Sequence, residues 1–283
     1  MTGSAEIIDG KALAAAIRKD LSVKVAACVR APVLAVVMTG NNESSRIYVR
    51  NKQRAASEVG IDCRVFELPE GISQAELEKQ VAALNRNPEI DGIIIQQPLP
   101  VQIDVLPLLE LIVPEKDVDG FSPFNLGLLM SRSPRAVVAA TPKGILRMLQ
   151  STGVELGGKH AVIIGRSNIV GKPLAQLLLN QDCTVTVTHS RTHNLRLLTA
   201  EADILVAACG WPEMVGADWV KAGALVIDVG INRLDGRLCG DVNFEDVLSK
   251  ASFISPVPGG VGPMTVAMLL ENTYEAFVRR QGE

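Results

Sequence analysis

The chain has 283 residues, 47% of them hydrophobic and 4% aromatic, with a formal net charge of −3 at pH 7. That length accommodates two domains, an aliphatic-rich and aromatic-poor composition favours α/β layers over a β-sandwich, and the small charge removes any electrostatic case for nucleic acid. Five cysteines, odd in number and without a Cys-x-x-Cys pair, suit a reducing, cytoplasmic setting.

The N-terminus carries Glu6, Asp9 and Lys11 and no apolar signal core, so no export is expected. Leu13, Ile17, Leu21 and Val25 at four-residue spacing predict an amphipathic helix from Lys11 to Arg30, ended by Ala31-Pro32. Val33 to Met38 is a continuous apolar strand. The polar turn Thr39-Gly40-Asn41-Asn42 follows at its carboxyl end, where open α/β sheets bind ligands. The next helix, from about Glu43 to Val59 with Gly60 as its C-cap, therefore starts at a candidate site. Ser44, Tyr48 and Lys52 recur every four residues and share one face of it. A lone helix lysine is normally solvated, so Lys52 gains meaning only if other polar groups converge on it.

The alternation continues with a strand over Cys63 to Leu68, a helix from about Ser73 to Asn85 and a strand over Gly92 to Ile95, a βα series with parallel connections. Two amides, Gln96 and Gln97, stand where the chain leaves the sheet. The apolar run Val105 to Val113 is interrupted by Pro107 and Glu110 and is too short to span a bilayer. Glu115 to Asn125 is rich in carboxylates and turn formers without periodicity, and reads as a loop. A helix follows Thr141-Pro142, with Pro142 in its first turn.

Ala161 to Ile164 is an unbroken apolar strand that stops at Gly165, and helix formers resume from Val170 to Asn180. Strand, glycine and helix make a phosphate-site arrangement in which the helix N-terminus presents unpaired N–H groups and its positive dipole end. The match to Gly-x-Gly-x-x-Gly is imperfect, with Ser167 and Val170 at the second and third glycines. Thr184 to Thr188 is the next strand. About 20 residues beyond the loop, where an NAD site wants a carboxylate, stand His189-Ser190-Arg191-Thr192; with Arg166 these suit a 2′-phosphate and favour NADP. Strands over Ile204 to Ala208 and Ala224 to Val229 extend the sheet, and Asp228 to Asn232 forms a loop near the cofactor. His189 and His193 lack acidic or thiol partners at ligand spacing, so no metal site is expected. Phe253 to Val257 leads into the close-approach loop Pro258 to Thr265 and a closing helix.

Four separated motifs together resemble the bifunctional methylenetetrahydrofolate dehydrogenase and methenyltetrahydrofolate cyclohydrolase family, nearly end to end. They are Ser45 to Lys52, similar to its Tyr-x-x-x-Lys helix, Asp91 to Pro100, Lys116 to Phe121, and Pro258 to Thr265. The chain departs from the usual pattern at Gln97 for leucine, Ser122 for histidine and Ala139-Ala140 for Pro-Cys.

The resemblance implies two α/β domains with a cleft between them. A folate-binding catalytic domain spans 1–138 and a Rossmann-type NADP-binding domain 139–265, with the helix 266–283 packing back on the first. It implies Lys52 as the catalytic lysine, Tyr48 as a ring stacking on folate, Gln96 as the amide orienting the lysine and Asp119 as the carboxylate gripping the pterin, with Pro258, Gly259 and Gly260 also binding substrate. Gly165, Arg166, Ser167, Ser190, Arg191 and Ile231 would hold NADP. A cytoplasmic homodimer without membrane or nucleic-acid partners is the expected setting. The alternatives are a dehydrogenase of the same fold that lacks the hydrolytic step or acts on another small acid, and a non-catalytic NADP-binding sensor.

Overall fold

The computed structural model describes residues 4–282, apart from the side chain of Ser44. Its contacts divide the chain into two units, Ala15–Ala140 with Val266–Glu283 and Met1–Ala14 with Thr141–Thr265. The chain opens with β1 (Glu6–Ile7) and α1 (Gly10–Ala26). Next come β2 (Val33–Thr39), α2 (Glu43–Val59), β3 (Asp62–Leu68), α3 (Gln74–Arg86) and β4 (Gly92–Ile95). These strands form a parallel sheet in the order β3-β2-β4. Central β2 is buried along its whole length, as a parallel strand covered on both faces should be.

Capping chemistry sets the helix ends. The Asn42 side chain accepts from Ser45 N at the start of α2, and Gly60, at φ 83°, returns its N–H to Ala56 and Ser57 at the end. A capping box between Ser73 and Glu76 opens α3. The last carbonyls of α3 are met by a residue from far along the chain: buried Lys116 donates from Nζ to Leu84 O (3.2 Å), Asn85 O (2.7 Å) and Asn87 O (2.7 Å).

The predicted first helix stops four residues early, at Ala26. Arg30 instead forks onto the fully buried Asp91, at 2.7 and 2.8 Å, while Ala31 precedes a proline and is disfavoured in helix. Two helices absent from the prediction complete this part of the chain. In α4 (Val105–Leu111), Asp104 caps the first turn and Pro107 is tolerated within it; α5 (Pro123–Met130) shortens the predicted acidic loop, because Ser122 caps it and Pro123 suits a first helical position.

Helix α6 (Ala140–Ser151) leads into β5 (His160–Ile164), α7 (Gly171–Asn180), β6 (Thr184–Thr188), α8 (Leu195–Ala200), β7 (Ile204–Ala207) and β8 (Leu225–Asp228). A hairpin of β9 (Asn232–Leu234) and β10 (Arg237–Cys239), then α9 (Phe244–Val247), β11 (Phe253–Ile254) and α10 (Val261–Gln281), follow. The second sheet is parallel, in the order β1-β11-β8-β7-β5-β6. Strand order reverses between β5 and β7, the topological switch point of a doubly wound fold, where dinucleotides bind.

The division at 138/139 differs from the structure at the N-terminus. β1 pairs with β11 and so belongs with the six-stranded sheet; an added strand satisfies backbone groups that an open β11 edge would leave unpaired. Helix α10 starts at Val261, so Gly262 and Pro263 lie in its first turn and not in the preceding loop. Further along it, Asn272 Nδ2 donates to Val118 O and Val138 O, both at 2.9 Å, and Arg280 donates to Asp91 Oδ1 at 2.9 Å. Arg30 also lies over the Phe277 ring, 4.8 Å from its centroid.

Asp91 thus accepts from Arg30, Arg280 and Val33 N (2.8 Å) with no exposure of its own. Breaking such a pair leaves uncompensated charge at a cost of about 3 kcal/mol, so Asp91→Asn should lower the calorimetric midpoint by roughly 6–12 °C. A midpoint equal to that of the parent would show that the carboxylate does not hold α10 in place.

Candidate active site

In the three-stranded unit the site is built at the carboxyl edge of the sheet. Helix α2 leaves that edge after β2, which places Tyr48 and Lys52 on one face of its middle turns. Lys52 Nζ donates to Gln96 Oε1 at 2.9 Å, and the same amide donates through Nε2 to Gln97 O at 2.6 Å. The second bond fixes which end of the amide faces the lysine. Gln96 follows directly on β4 and meets Lys52, whereas the neighbouring Gln97 is exposed. Tyr48 is 47% exposed, leaving much of its ring open to a partner.

Lys52 is half-buried, and that desolvation lowers its pKa; the nearby carboxylate of Asp119 acts in the opposite direction. Burial pushes the Asp119 carboxyl up to about 6, with Asp117 adding to the rise and Lys52 opposing it. On β3, burial raises the Cys63 thiol to about 11, so the thiol is the resting form beside the lysine. The site therefore sets an ammonium and a carboxylate in each other's fields, with desolvation moving both proton affinities toward neutrality.

Asp119 projects from a tightly determined segment. Val118 packs against Gly92, where a Cβ would come within 2.7 Å of Val118 Cγ1. Gly120 has φ +70°, and a Cβ there would come within 2.7 Å of Val137 O, so the turn requires glycine on both counts. Ser122, at the position of the usual histidine, is buried and its Oγ accepts from Asn125 N at 3.2 Å. Sequence reasoning missed Cys63 as a neighbour of Lys52, since nothing in local spacing brings β3 to α2.

The six-stranded unit holds the other predicted residues. Gly165 has φ +129°, and a Cβ there would lie 2.2 Å from Ala208 O; a Cβ on Gly171 would lie 2.1 Å from Gly165 O. This is a bare-backbone cradle at the switch point. Ser167 corrects one expectation: its Oγ accepts from Val170 N (3.1 Å) and Gly171 N (3.5 Å), and its carbonyl from Lys172 N (3.1 Å). The amides expected to be unpaired are taken up, because a serine in the second glycine's place supplies its own cap. Exposed cations and hydroxyls remain as donors, Arg166 and Ser167 in the loop and Ser190 and Arg191 beyond β6. Arg191 N meets His189 Nδ1 at 3.2 Å and His189 N meets Thr192 Oγ1 at 2.9 Å, so the turn carrying them is ordered. The cradle, together with donors free of carboxylate, fits a dinucleotide bearing a 2′-phosphate.

Ile231 is exposed between two anchored neighbours: Gly230 N donates to Asp228 Oδ1 (2.9 Å) and Asn232 Nδ2 to Asp241 Oδ1 (2.8 Å). Asp241 Oδ2 also accepts from Cys209 N (2.7 Å) and Gly210 N (2.9 Å), tying the β7 and β8 loop ends together. Pro258, Gly259 and Gly260 follow β11. Gly259 has φ +106° and accepts from Lys11 N at 2.8 Å, and a Cβ on Gly260 would lie 2.5 Å from Pro256 O.

A doubly wound sheet with a 2′-phosphate-compatible cradle, in one chain with a desolvated lysine and its amide, defines a two-domain pyridine-nucleotide dehydrogenase. Residues 8–119 match the model of the tetrahydrofolate dehydrogenase/cyclohydrolase catalytic domain, and residues 139–281 that of the same family's NAD(P)-binding domain. The chain is 54% identical over 280 residues to bifunctional protein FolD of Streptococcus gordonii, covering 97% of this chain and 98% of that protein. The crystal structure of the bifunctional enzyme FolD from Campylobacter jejuni superposes with a TM-score of 0.96 at 44% identity, covering 98% of this chain and 100% of that one. The Trypanosoma brucei methylenetetrahydrofolate dehydrogenase-cyclohydrolase, solved with NADP cofactor and inhibitor, gives 0.94 at 41%, covering 99% of each chain. The chain belongs to the tetrahydrofolate dehydrogenase/cyclohydrolase family.

The electrostatics predict the titration of Asp119. By carboxyl-carbon NMR its midpoint should fall near 6, and Lys52→Met should move it upward, because a cation that favours the carboxylate is lost. A midpoint in the ordinary aspartate range, unmoved by Lys52→Met, would show that the two groups do not share a desolvated site.

Proposed function

We propose that the chain oxidises 5,10-methylenetetrahydrofolate to the 5,10-methenyl form with NADP and hydrolyses that product to 10-formyltetrahydrofolate, with Lys52 as the proton-carrying residue. The observation that carries this reading is the half-buried lysine held on the Gln96 amide in the field of Asp119, in a chain of this family. NADP supplies the hydride acceptor when bound. Gly165, Arg166, Ser167, Ser190, Arg191 and Ile231 hold it, and the Arg191 and Arg166 guanidiniums match its 2′-phosphate.

Asp119 accepts hydrogen bonds from the amino-pyrimidine edge of the pterin, since a carboxylate fits two parallel N–H donors. Tyr48 offers a ring face for a planar heterocycle. Pro258, Gly259 and Gly260 are assigned to substrate through the resemblance. In the hydrolytic step, water adds to the cationic methenyl carbon, that carbon's bond to one ring nitrogen breaks, and one proton is released overall. An ordinary lysine, at about 10.4, is a poor base at neutral pH; desolvation brings Lys52 closer to a working range. The neutral amine takes a proton from the attacking water and the ammonium returns one to the departing nitrogen. Gln96 aims the Nζ without adding a charge that would hold the proton more tightly. A cytoplasmic homodimer is part of the same reading.

The test is hydrolysis of supplied methenyltetrahydrofolate by Lys52→Met, which keeps most of the side-chain length. Its rate should fall by about 10² to 10⁴ with NADP affinity near that of the parent. Hydrolysis at the parent rate would remove Lys52 from the mechanism.

A further inference from the structure

Asp117 is 1% exposed, and all of its hydrogen-bonding capacity is spent on the segment that follows it. Its Oδ1 accepts from Gly120 N at 2.9 Å and Phe121 N at 3.3 Å; its Oδ2 accepts from Ser122 N at 2.9 Å and Asn125 Nδ2 at 2.8 Å. An ionised carboxylate has about four acceptor positions, and four donors occupy them. The chain from 117 to 122 is thereby wrapped around one carboxyl group, with Asp119 on the span between the anchor and its first donor.

The anchor itself is registered to the sheet. Asp117 forms a parallel bridge with Ile93 of β4. Three residues beyond Ile93 the chain reaches Gln96, which holds Lys52; two residues beyond Asp117 it reaches Asp119. Both segments run in the same direction from the same bridge, so the separation of the carboxylate from the lysine–amide pair is set at Asp117. The neighbours leave little room for adjustment: Val118 is pinned against Gly92 and its carbonyl is held by Asn272, and the Gly120 backbone lies against that of Val137 and Ala139.

We propose that Asp117 is a positioning residue for the folate step, holding Asp119 at the distance from Lys52 and Gln96 at which the pterin is gripped. It rests on the reading of Asp119 as the group that meets folate. Asp117→Asn keeps the size of the side chain but turns an amide N–H toward backbone donors, which must then move. A second substitution, Asn125→Asp, offers that amide an acceptor and keeps the oxygen that receives Val137 N.

The experiment compares the parent, Asp117→Asn, Asp117→Asn/Asn125→Asp and Asp119→Asn, all full length, assayed well below their thermal midpoints. The readouts are KM for methenyltetrahydrofolate and Kd for NADP. Loss of one charge-assisted contact corresponds to a rise in KM of about tenfold to a hundredfold, expected in Asp117→Asn and Asp119→Asn with NADP affinity unchanged. The double variant should recover part of the loss, since Ser122 N still faces the new amide. A merely structural role would lower the thermal midpoint of Asp117→Asn and leave its KM at the parent value. A rise in Asp119→Asn with none in Asp117→Asn overturns the positioning role alone; no rise in either overturns the reading of Asp119 and the positioning role with it. Should Asp117→Asn not fold, Asn125→Ala removes one of the four donors, and an unchanged KM there overturns the proposal equally.

Discussion

The 2.9 Å hydrogen bond from Lys52 Nζ to Gln96 Oε1 is the contact on which the three-stranded unit's chemistry depends. Its value lies in what the acceptor lacks. A carboxylate at that position would hold the ammonium's proton and raise the lysine's pKa, whereas an amide satisfies one N–H and adds no net charge. Burial then prevails, and the lysine's proton becomes easier to remove than in water. Asp119 opposes that shift without reversing it, and burial holds its own carboxyl up at about 6. Neither group is neutralised by a short ion pair, so each remains available to a substrate.

Parallel strand pairing makes this contact geometrically natural. With β2, β3 and β4 all running the same way, their carboxyl ends share one edge, from which α2 sets out and at which Gln96 emerges. Buried charges fix the chain at the opposite, amino edge of the same sheet. Lys116 closes the end of α3 and Asp91 joins Arg30 to Arg280. The six-stranded unit uses the same device: Asp228 accepts from Gly230, Asp241 and Val242 amides at 2.9 Å each, and Asp241 binds the β7 loop end. Such groups are expensive to desolvate and are retained only where hydrogen bonds occupy nearly all their acceptor positions. They hold irregular backbone that an apolar core cannot specify.

Where a local signal existed, sequence reasoning reached the structure. Helix α2 and strand β4 have the bounds expected from their caps and flanking residues, and β6 likewise ends where its branched run ends. Strand β1 escaped because two residues carry no periodicity. The β9–β10 hairpin does carry a local signal: Asp235-Gly236, at φ 50° and 79°, is the Asp-Gly pair that such turns favour. The acidic segment from Glu115 to Asn125 has the composition of a loop and no periodicity, yet it ends in α5 and contains two charges turned inward. What Lys116 and Asp117 do was not legible, because a side chain spent on carbonyls or amides elsewhere leaves no mark on the spacing of apolar residues. The proximity of Cys63 to Lys52 is likewise a property of tertiary packing alone.

The most direct measurement is the titration of Lys52 itself, followed by side-chain nitrogen NMR in the parent and in Asp119→Asn. A midpoint below the ordinary lysine value is expected in the parent, and a further fall in Asp119→Asn, because the carboxylate that favours the ammonium is then gone. A parent midpoint at the ordinary value, unchanged by the substitution, would contradict the claim that burial beside Gln96 and Asp119 prepares this lysine for proton transfer.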